Sequence, residues 1–410
     1  MADITAGAEP ESRLRTTSEA VAFPAALVLV TLAALLWRLP MLSFESGDYG
    51  SFLSPWYDHI REQGFATAMG ERFADYTPPY LYLLALATHL PFSKIVDIKA
   101  ISLPFDVLLA AAVMFVVRER SPSRTLSVAV YAAVLFAPTV VWNGARWGQC
   151  DAIFTSFVVL SLLFLLRNRA GLSLLMLGIA FAFKGQAAFV VPAYLVLTLK
   201  GRIPLRAWLL SPLPYFVAII PAWYFGRPFW ELVTNYVDQA RLYKTLVLGA
   251  PNIYQWLPNA AFLHDHAFKL AAAIIALAMV AVAHPRLRPG NRETVVLATM
   301  FALLCPFVMP RMHDRYFFVA DVLSIAYVFY VPRRWFLPVL VITASTFSYW
   351  PYLNGYDHPP VEVKVLTALI LAALATTLYD LWQLAQAEPP AEPLRTYWRR
   401  MLATIGTRTP

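Results

Sequence analysis

Apolar residues gather along this sequence into runs of helix length, broken by short polar stretches, and that pattern sets the expected architecture. The runs lie at 21–40, 98–117, 124–142, 151–166, 171–183, 187–199, 206–225, 268–283, 293–309, 316–332, 335–350 and 361–383. About 20 residues rising about 1.5 Å each cross a hydrocarbon layer of about 30 Å. The pattern therefore predicts an all-α polytopic membrane helix bundle of about twelve spans (11–13). Two runs, 171–183 and 187–199, are short, and Lys184-Gly185-Gln186 separates them. Residues 1–20 are poor in apolar side chains, so a disordered cytoplasmic leader is expected. The run 21–40 ends in Trp37-Arg38-Leu39-Pro40 with no small-residue cleavage pattern, and reads as a retained first helix.

Short basic loops give an orientation. Arg118, Arg120 and Arg124; Arg167 and Arg169; Lys200, Arg202 and Arg206; Arg286, Arg288 and Arg292; and Arg333 and Arg334 alternate with loops poor in Lys and Arg. The positive-inside rule assigns the basic set to the cytoplasm. Residues 142–151, 184–186, 226–267, 310–315 and 352–360 then face the other side, and both termini, including a tail at 385–410, are cytoplasmic. The two large outer loops are 41–97 and 226–267. Residues 78–92 are apolar, but a span there would place Arg118–Arg124 outside, so an interfacial helix is expected.

Composition agrees with a bilayer and excludes several functions. Of 410 residues, 59% are hydrophobic and 14% charged, where a soluble domain carries about a quarter charged. The net charge of +8 reflects loop placement and gives no ground for a nucleic-acid partner. Cys150 and Cys305 sit in or beside apolar runs, which does not suit a disulfide framework. No GxxxxGK[ST] loop is present and the cytoplasmic loops are too short for a nucleotide-binding domain, which argues against a nucleotide-powered pump. No GxSxG elbow supports a hydrolase. An Arg- and Ala-rich composition with little Lys fits a GC-rich bacterial genome, hence a bacterial inner membrane.

Candidate chemistry concentrates in the outer loops. Asp48, followed by Tyr49, could take a proton from an attacking hydroxyl as general base, or could cap the helix that begins beside it. Asp151 closes the turn Trp147-Gly148-Gln149-Cys150-Asp151, with Trp142, Asn143 and Arg146 nearby. Indole faces beside polar donors suit a sugar site, although an interfacial belt and a carboxylate at a helix start account for the same residues. Lys184 lies between two short helices, where a buried ammonium would pair with an anion such as a lipid phosphate, or snorkel to the interface. Arg311-Met312-His313-Asp314-Arg315-Tyr316 puts two guanidiniums and an imidazole into an otherwise base-poor set of loops. That makes an anion site with His313 and Arg315 as donors and Asp314 orienting one of them. No motif calls for a metal or other cofactor. Asp106 and Asp321 are intramembrane acids that could pair with buried bases or stay neutral.

Taken together, an acid in the first outer loop, Tyr76-Thr77-Pro78-Pro79-Tyr80-Leu81-Tyr82, the Trp147-Gly148-Gln149-x-Asp151 turn and the Met312–Tyr316 loop resemble the membrane-embedded GT-C glycosyltransferases. The nearest resemblance is to bacterial proteins similar to the GPI-anchor mannosyltransferases, with the dolichyl-phosphoglucose-dependent glucosyltransferases more distant. The resemblance implies an N-terminal module over 21–199 and a variable C-terminal transmembrane module over 200–384. It implies a polyprenyl-phosphate monosaccharide as donor, a lipid-linked glycan or polysaccharide as acceptor, inversion at the anomeric carbon, and a site facing the periplasm. On this reading Asp48 is the general base, and Lys184, His313 and Arg315 hold the donor phosphate. Asp314 stands where the family more often has Glu. Asp151, Trp147, Gln149, Arg146, Tyr49 and Asp314 are candidates for the sugar or acceptor site. A transporter or flippase of a lipid-linked saccharide is the alternative, since many spans, a Gly-interrupted helix and intramembrane acids also suit one.

Overall fold

The computed structural model describes residues 8–242, 244–257, 261–284, 286–287, 289–355 and 360–386. Each of the twelve apolar runs is helical. The chain begins with α1 (Ala8–Arg38), which takes in residues 8–20 of the leader. Four short helices then fill the first large loop: α2 (Ser54–Gln63), α3 (Phe65–Gly70), α4 (Pro78–Ala87) and α5 (Lys94–Ala100). There follow α6 (Leu103–Arg118), α7 (Arg124–Leu135), α8 (Pro138–Val141), α9 (Asp151–Leu166), α10 (Ala170–Phe183), α11 (Val191–Leu199) and α12 (Leu213–Tyr224). The second half comprises α13 (Phe229–Leu242), α14 (Ala261–Val282), α15 (Asn291–Val308), α16 (Phe318–Tyr330), α17 (Leu337–Asn354) and α18 (Val363–Gln386). Residues 1–7 and the tail from 387 lie outside the described residues.

Among the described residues, seven helical segments are long and apolar enough to cross a membrane, or eight if α7 and its bent continuation count as one. The other four apolar runs form shorter helices (10–17 residues). Of these, α9 is buried on nearly all sides between α6, α10 and α16, which explains an apolar sequence without a polar face. At the opposite extreme, α1 presents Val28, Leu29, Leu32 and Leu36 outward, as a helix meeting lipid would. One buried ion pair fixes it to the bundle. Arg38 Nε donates to Asp106 at 3.0 Å and Nη2 to the Leu135 carbonyl at 2.8 Å, so Asp106 has a basic partner. Asp321 instead accepts from Ser345 Oγ at 2.7 Å.

Helix breaks shape one end of the bundle. Pro138 has no N–H to give, and Ala137 before it is extended, so the chain bends by 50° between α7 and the segment Pro138–Trp147. That segment ends in a π-helical turn, Trp142–Trp147, closed by Gly148 at φ +84°. A side chain at Gly148 would be strained by that backbone, although a Cβ would meet Leu53 and Lys99 only at ordinary contact distance. Lys99 itself donates to the carbonyls of Met41, Phe44 and Arg146, gathering three segments at one ammonium. A second break occurs at Lys184, which is extended between α10 and a 3-10 turn, Gly185–Val190, that leads into α11.

Loops that alternate in sequence separate in space. Glu119 pairs with Arg167, Arg202 reaches the carbonyls of Leu165 and Pro289, Lys200 that of Leu287, and Tyr330 that of Val116. The base-poor loops contact one another instead, as described below. The short α4 stays with them. Thr77, just before it, donates to the Ala182 carbonyl, and Lys94, just after it, pairs with Asp58 of α2 at 2.6 Å. At ten residues α4 is shorter than a membrane span requires, and it starts and ends among the same loops. One feature has no trace in the apolar pattern: Val247–Leu248 pairs in parallel with Met312–His313, tying the 226–267 loop to the basic motif at 311–316.

Candidate functional site

Asp48 lies at the start of the π-turn Tyr49–Leu53, but its side chain caps nothing. Ser46 takes that part, accepting from the Tyr49 amide at 3.2 Å while donating to the Trp147 carbonyl at 2.7 Å. The Asp48 carboxylate is thereby free to face a cavity, where three side chains grip it. Trp147 Nε1 donates to Oδ2 at 2.9 Å, Gln149 Nε2 donates to the same oxygen, and Tyr352 Oη donates to Oδ1 at 2.5 Å. Trp147 and Gln149 are buried, positioned by the π-turn and by the Ser102 hydroxyl that holds the Gln149 carbonyl.

A second carboxylate stands behind the first. Asp151 opens α9, where Asn143 donates to it at 2.7 Å and accepts from its amide at 3.3 Å. Lys184, released from helical geometry at its break, hydrogen-bonds the other Asp151 oxygen. Its ammonium also lies over the rings of Tyr76 and Phe154, at 5.7 and 5.9 Å. The lysine is therefore paired within the protein rather than snorkelling, and it still lines the cavity.

Arg315 sits between these carboxylates. Its guanidinium is 3.9 Å from Asp48, 4.0 Å from Asp151 and 3.9 Å from Asp314, and lies 5.1 Å over the Trp147 ring. Its Nε is buried with no hydrogen-bond partner, a donor held in the site without being spent. The neighbouring acids raise its pKa well above the usual range against the opposing effect of burial. Burial, with Arg315 and Lys184 nearby, lowers that of His313 to about 3, so His313 is a neutral imidazole and contributes an N–H rather than a charge. Asp314 is pushed up to about 7 by burial, against the pull of Arg315 and its amide. Gly249, at φ +82°, lets the strand pair close over Asp314, where a Cβ would come within 3.3 Å of the Asp314 Cβ.

These residues line one cavity of about 690 Å³. Asp48, Trp147, Gln149, Lys184, His313, Asp314, Arg315 and Tyr352 form its polar wall. Phe181, Phe183, Phe189, Leu242, Leu248 and Phe268 form an apolar one. Two sequence candidates stand elsewhere. Arg146 stacks on Phe44 at 4.5 Å and donates to Asn354 at 2.7 Å, bracing α17 against the π-turn, and Tyr49 packs on the cluster around Leu53 and Trp56. Arg311, from the same motif as His313, also lines the cavity and donates to the Ala240 carbonyl at 2.6 Å. Tyr352 was missed because only the third dimension brings it to Asp48, 304 positions earlier. Among the described residues no three His, Cys, Asp or Glu side chains converge as a metal site requires. The acids instead surround a guanidinium.

The arrangement offers a held carboxylate, a fixed cation pair and an adjoining apolar pocket, which together suit proton removal beside an anionic group on a greasy chain. Comparison with known proteins gives two findings. A family model described as glycosyltransferase family 87 matches residues 73–310, which carry the Trp147–Asp151 turn and Lys184. No curated protein matches the chain.

Proposed function

The chain belongs to glycosyltransferase family 87, of the GT-C-type membrane glycosyltransferases, and on that premise we propose how it uses its cavity. It transfers a hexose, mannose or glucose, from a polyprenyl-phosphate donor to a lipid-linked glycan or polysaccharide. The acceptor hydroxyl gives its proton to Asp48 as its oxygen bonds to the anomeric carbon. The bond from that carbon to the phosphate oxygen breaks on the opposite face, its electron pair leaves with the phosphate, and configuration inverts. Lys184, Arg315 and an N–H of His313 meet the charge on the departing group. Asp151 holds Lys184 and Arg315 in place. The prenyl chain lies along the phenylalanine wall, entering sideways from the bilayer.

One observation carries this reading: Asp48 and Arg315 are 3.9 Å apart in the lining of a cavity that also carries Phe181, Phe183, Phe189 and Phe268. An acid and a cation lining one cavity let a bound sugar meet the base on the side of the attacking hydroxyl and the cation on the side of its phosphate. The alternate sorting of basic and base-poor loops supports a site on the periplasmic side of a bacterial inner membrane, with cytoplasmic termini. A flippase would not require a carboxylate held by three donors, and family membership makes the chain a transferase.

The test offers purified protein in nanodiscs a panel of polyprenyl-phosphate hexoses with a membrane-lipid extract, and reads product by mass spectrometry. We expect one donor to be consumed, with inverted anomeric configuration in the product. Consumption of nucleotide-sugar instead, with every lipid donor untouched, would sink the donor assignment.

A further inference from the structure

The three donors on Asp48 are not equivalent, and the difference points to the tyrosine. A carboxylate has about four lone-pair directions, two on each oxygen. Trp147 and Gln149 take both on Oδ2 and are buried, so those bonds persist whatever enters the cavity. Tyr352 takes one on Oδ1 and is 41% exposed. One direction on Oδ1 is left for an incoming hydroxyl, and the phenol decides which.

Its placement is built rather than incidental. The Tyr352 ring stacks on Trp147, centroids 4.8 Å apart and planes 23° apart, so two stacked rings hold opposite oxygens of one carboxylate. Tyr352 stands near the end of α17, which Arg146 anchors through Asn354. Gly47 leaves the space the phenol occupies: a Cβ there would lie 2.7 Å from the Tyr352 hydroxyl oxygen and 3.2 Å from the carbon bearing it. At that distance something must shift, and the atom the Cβ meets is the hydroxyl that donates to Asp48.

We propose that Tyr352 is the positioning residue of the acceptor site, aiming Oδ1 of Asp48 at the acceptor hydroxyl, with Gly47 as the clearance it needs. The proposal rests on Asp48 being the base. Tyr352 acts through Asp48 and Trp147, so its loss should weaken the chemical step and leave donor binding alone.

The experiment compares Tyr352→Phe, Gly47→Ala, their double variant and Asp48→Asn with wild type in the transfer assay, separating kcat from donor KM. Tyr352→Phe keeps the stacked ring and removes only the hydroxyl. Its kcat should fall about tenfold to a hundredfold with KM for the lipid-phosphate donor unchanged, as a misplaced reacting group gives. Gly47→Ala should do the same, and the double variant should be no worse than either, since both remove one contact. A Tyr352→Phe enzyme with wild-type kcat, beside an inactive Asp48→Asn, overturns the role of Tyr352 and leaves the base intact; a donor KM that rises with the fall in kcat overturns it as well. Transfer that persists in Asp48→Asn removes the base and the proposal with it.

Discussion

At the scale of single residues, the site is a set of charges whose partners settle their uses. Asp48 read as a helix cap or as a base in the sequence; Ser46, two positions earlier, takes the cap and so leaves the acid to the cavity. Lys184 was legible because a cation between two short apolar runs must find an anion, but its partner Asp151 was not, since pairing across 33 residues leaves no mark in spacing. His313 was expected as a donor to a phosphate, and burial, with Arg315 and Lys184 beside it, keeps that donor neutral. The titrating group of that loop is Asp314, raised to about 7. Raising pH through about 7 ionises it and adds a negative charge beside Arg315, while a phosphodiester donor keeps one charge throughout. Donor KM should therefore rise above neutrality in the wild type, and Asp314→Asn should flatten that dependence. Equal slopes in both enzymes would contradict the assignment.

Elements were the most legible level, because a helix in lipid satisfies its own backbone and leaves a run of apolar residues as its record. The breaks were only half visible. Lys184-Gly185-Gln186 announced one, whereas Pro138 lay inside a continuous apolar run and its 50° bend did not show. That bend delivers the π-turn, and Gly148 lets it close. Gly148→Ala should cost about 1–2 kcal/mol through its left-handed backbone, read as a lower thermal midpoint in nanodiscs. Transfer should suffer as well, because Trp147 and Gln149 flank the substituted position. Unchanged stability and activity would mean the turn tolerates another closure. The short strand pair over Asp314 has two residues a side, too few for any alternation to register.

For the whole molecule, the alternation of basic and base-poor loops contained the sorting later found in space, since the bilayer imposes sidedness on every span in turn. Which residues of that base-poor end share a cavity was not legible, because contacts such as Tyr352 with Asp48 join the two halves of the chain. Sidedness has its own check. Single cysteines at Asp75 and at Asn168 should react with an impermeant thiol reagent from opposite faces, Asp75 from the periplasm. Cys150 and Cys305 are buried and give little background. Labelling of both from one face would refute the topology. The central claim, a carboxylate-driven transfer from a lipid-phosphate sugar, is tested most directly by comparing folded Asp48→Asn with wild type on the preferred donor. The account predicts a loss of at least about a hundredfold in kcat with donor binding retained; transfer at the wild-type rate would contradict it.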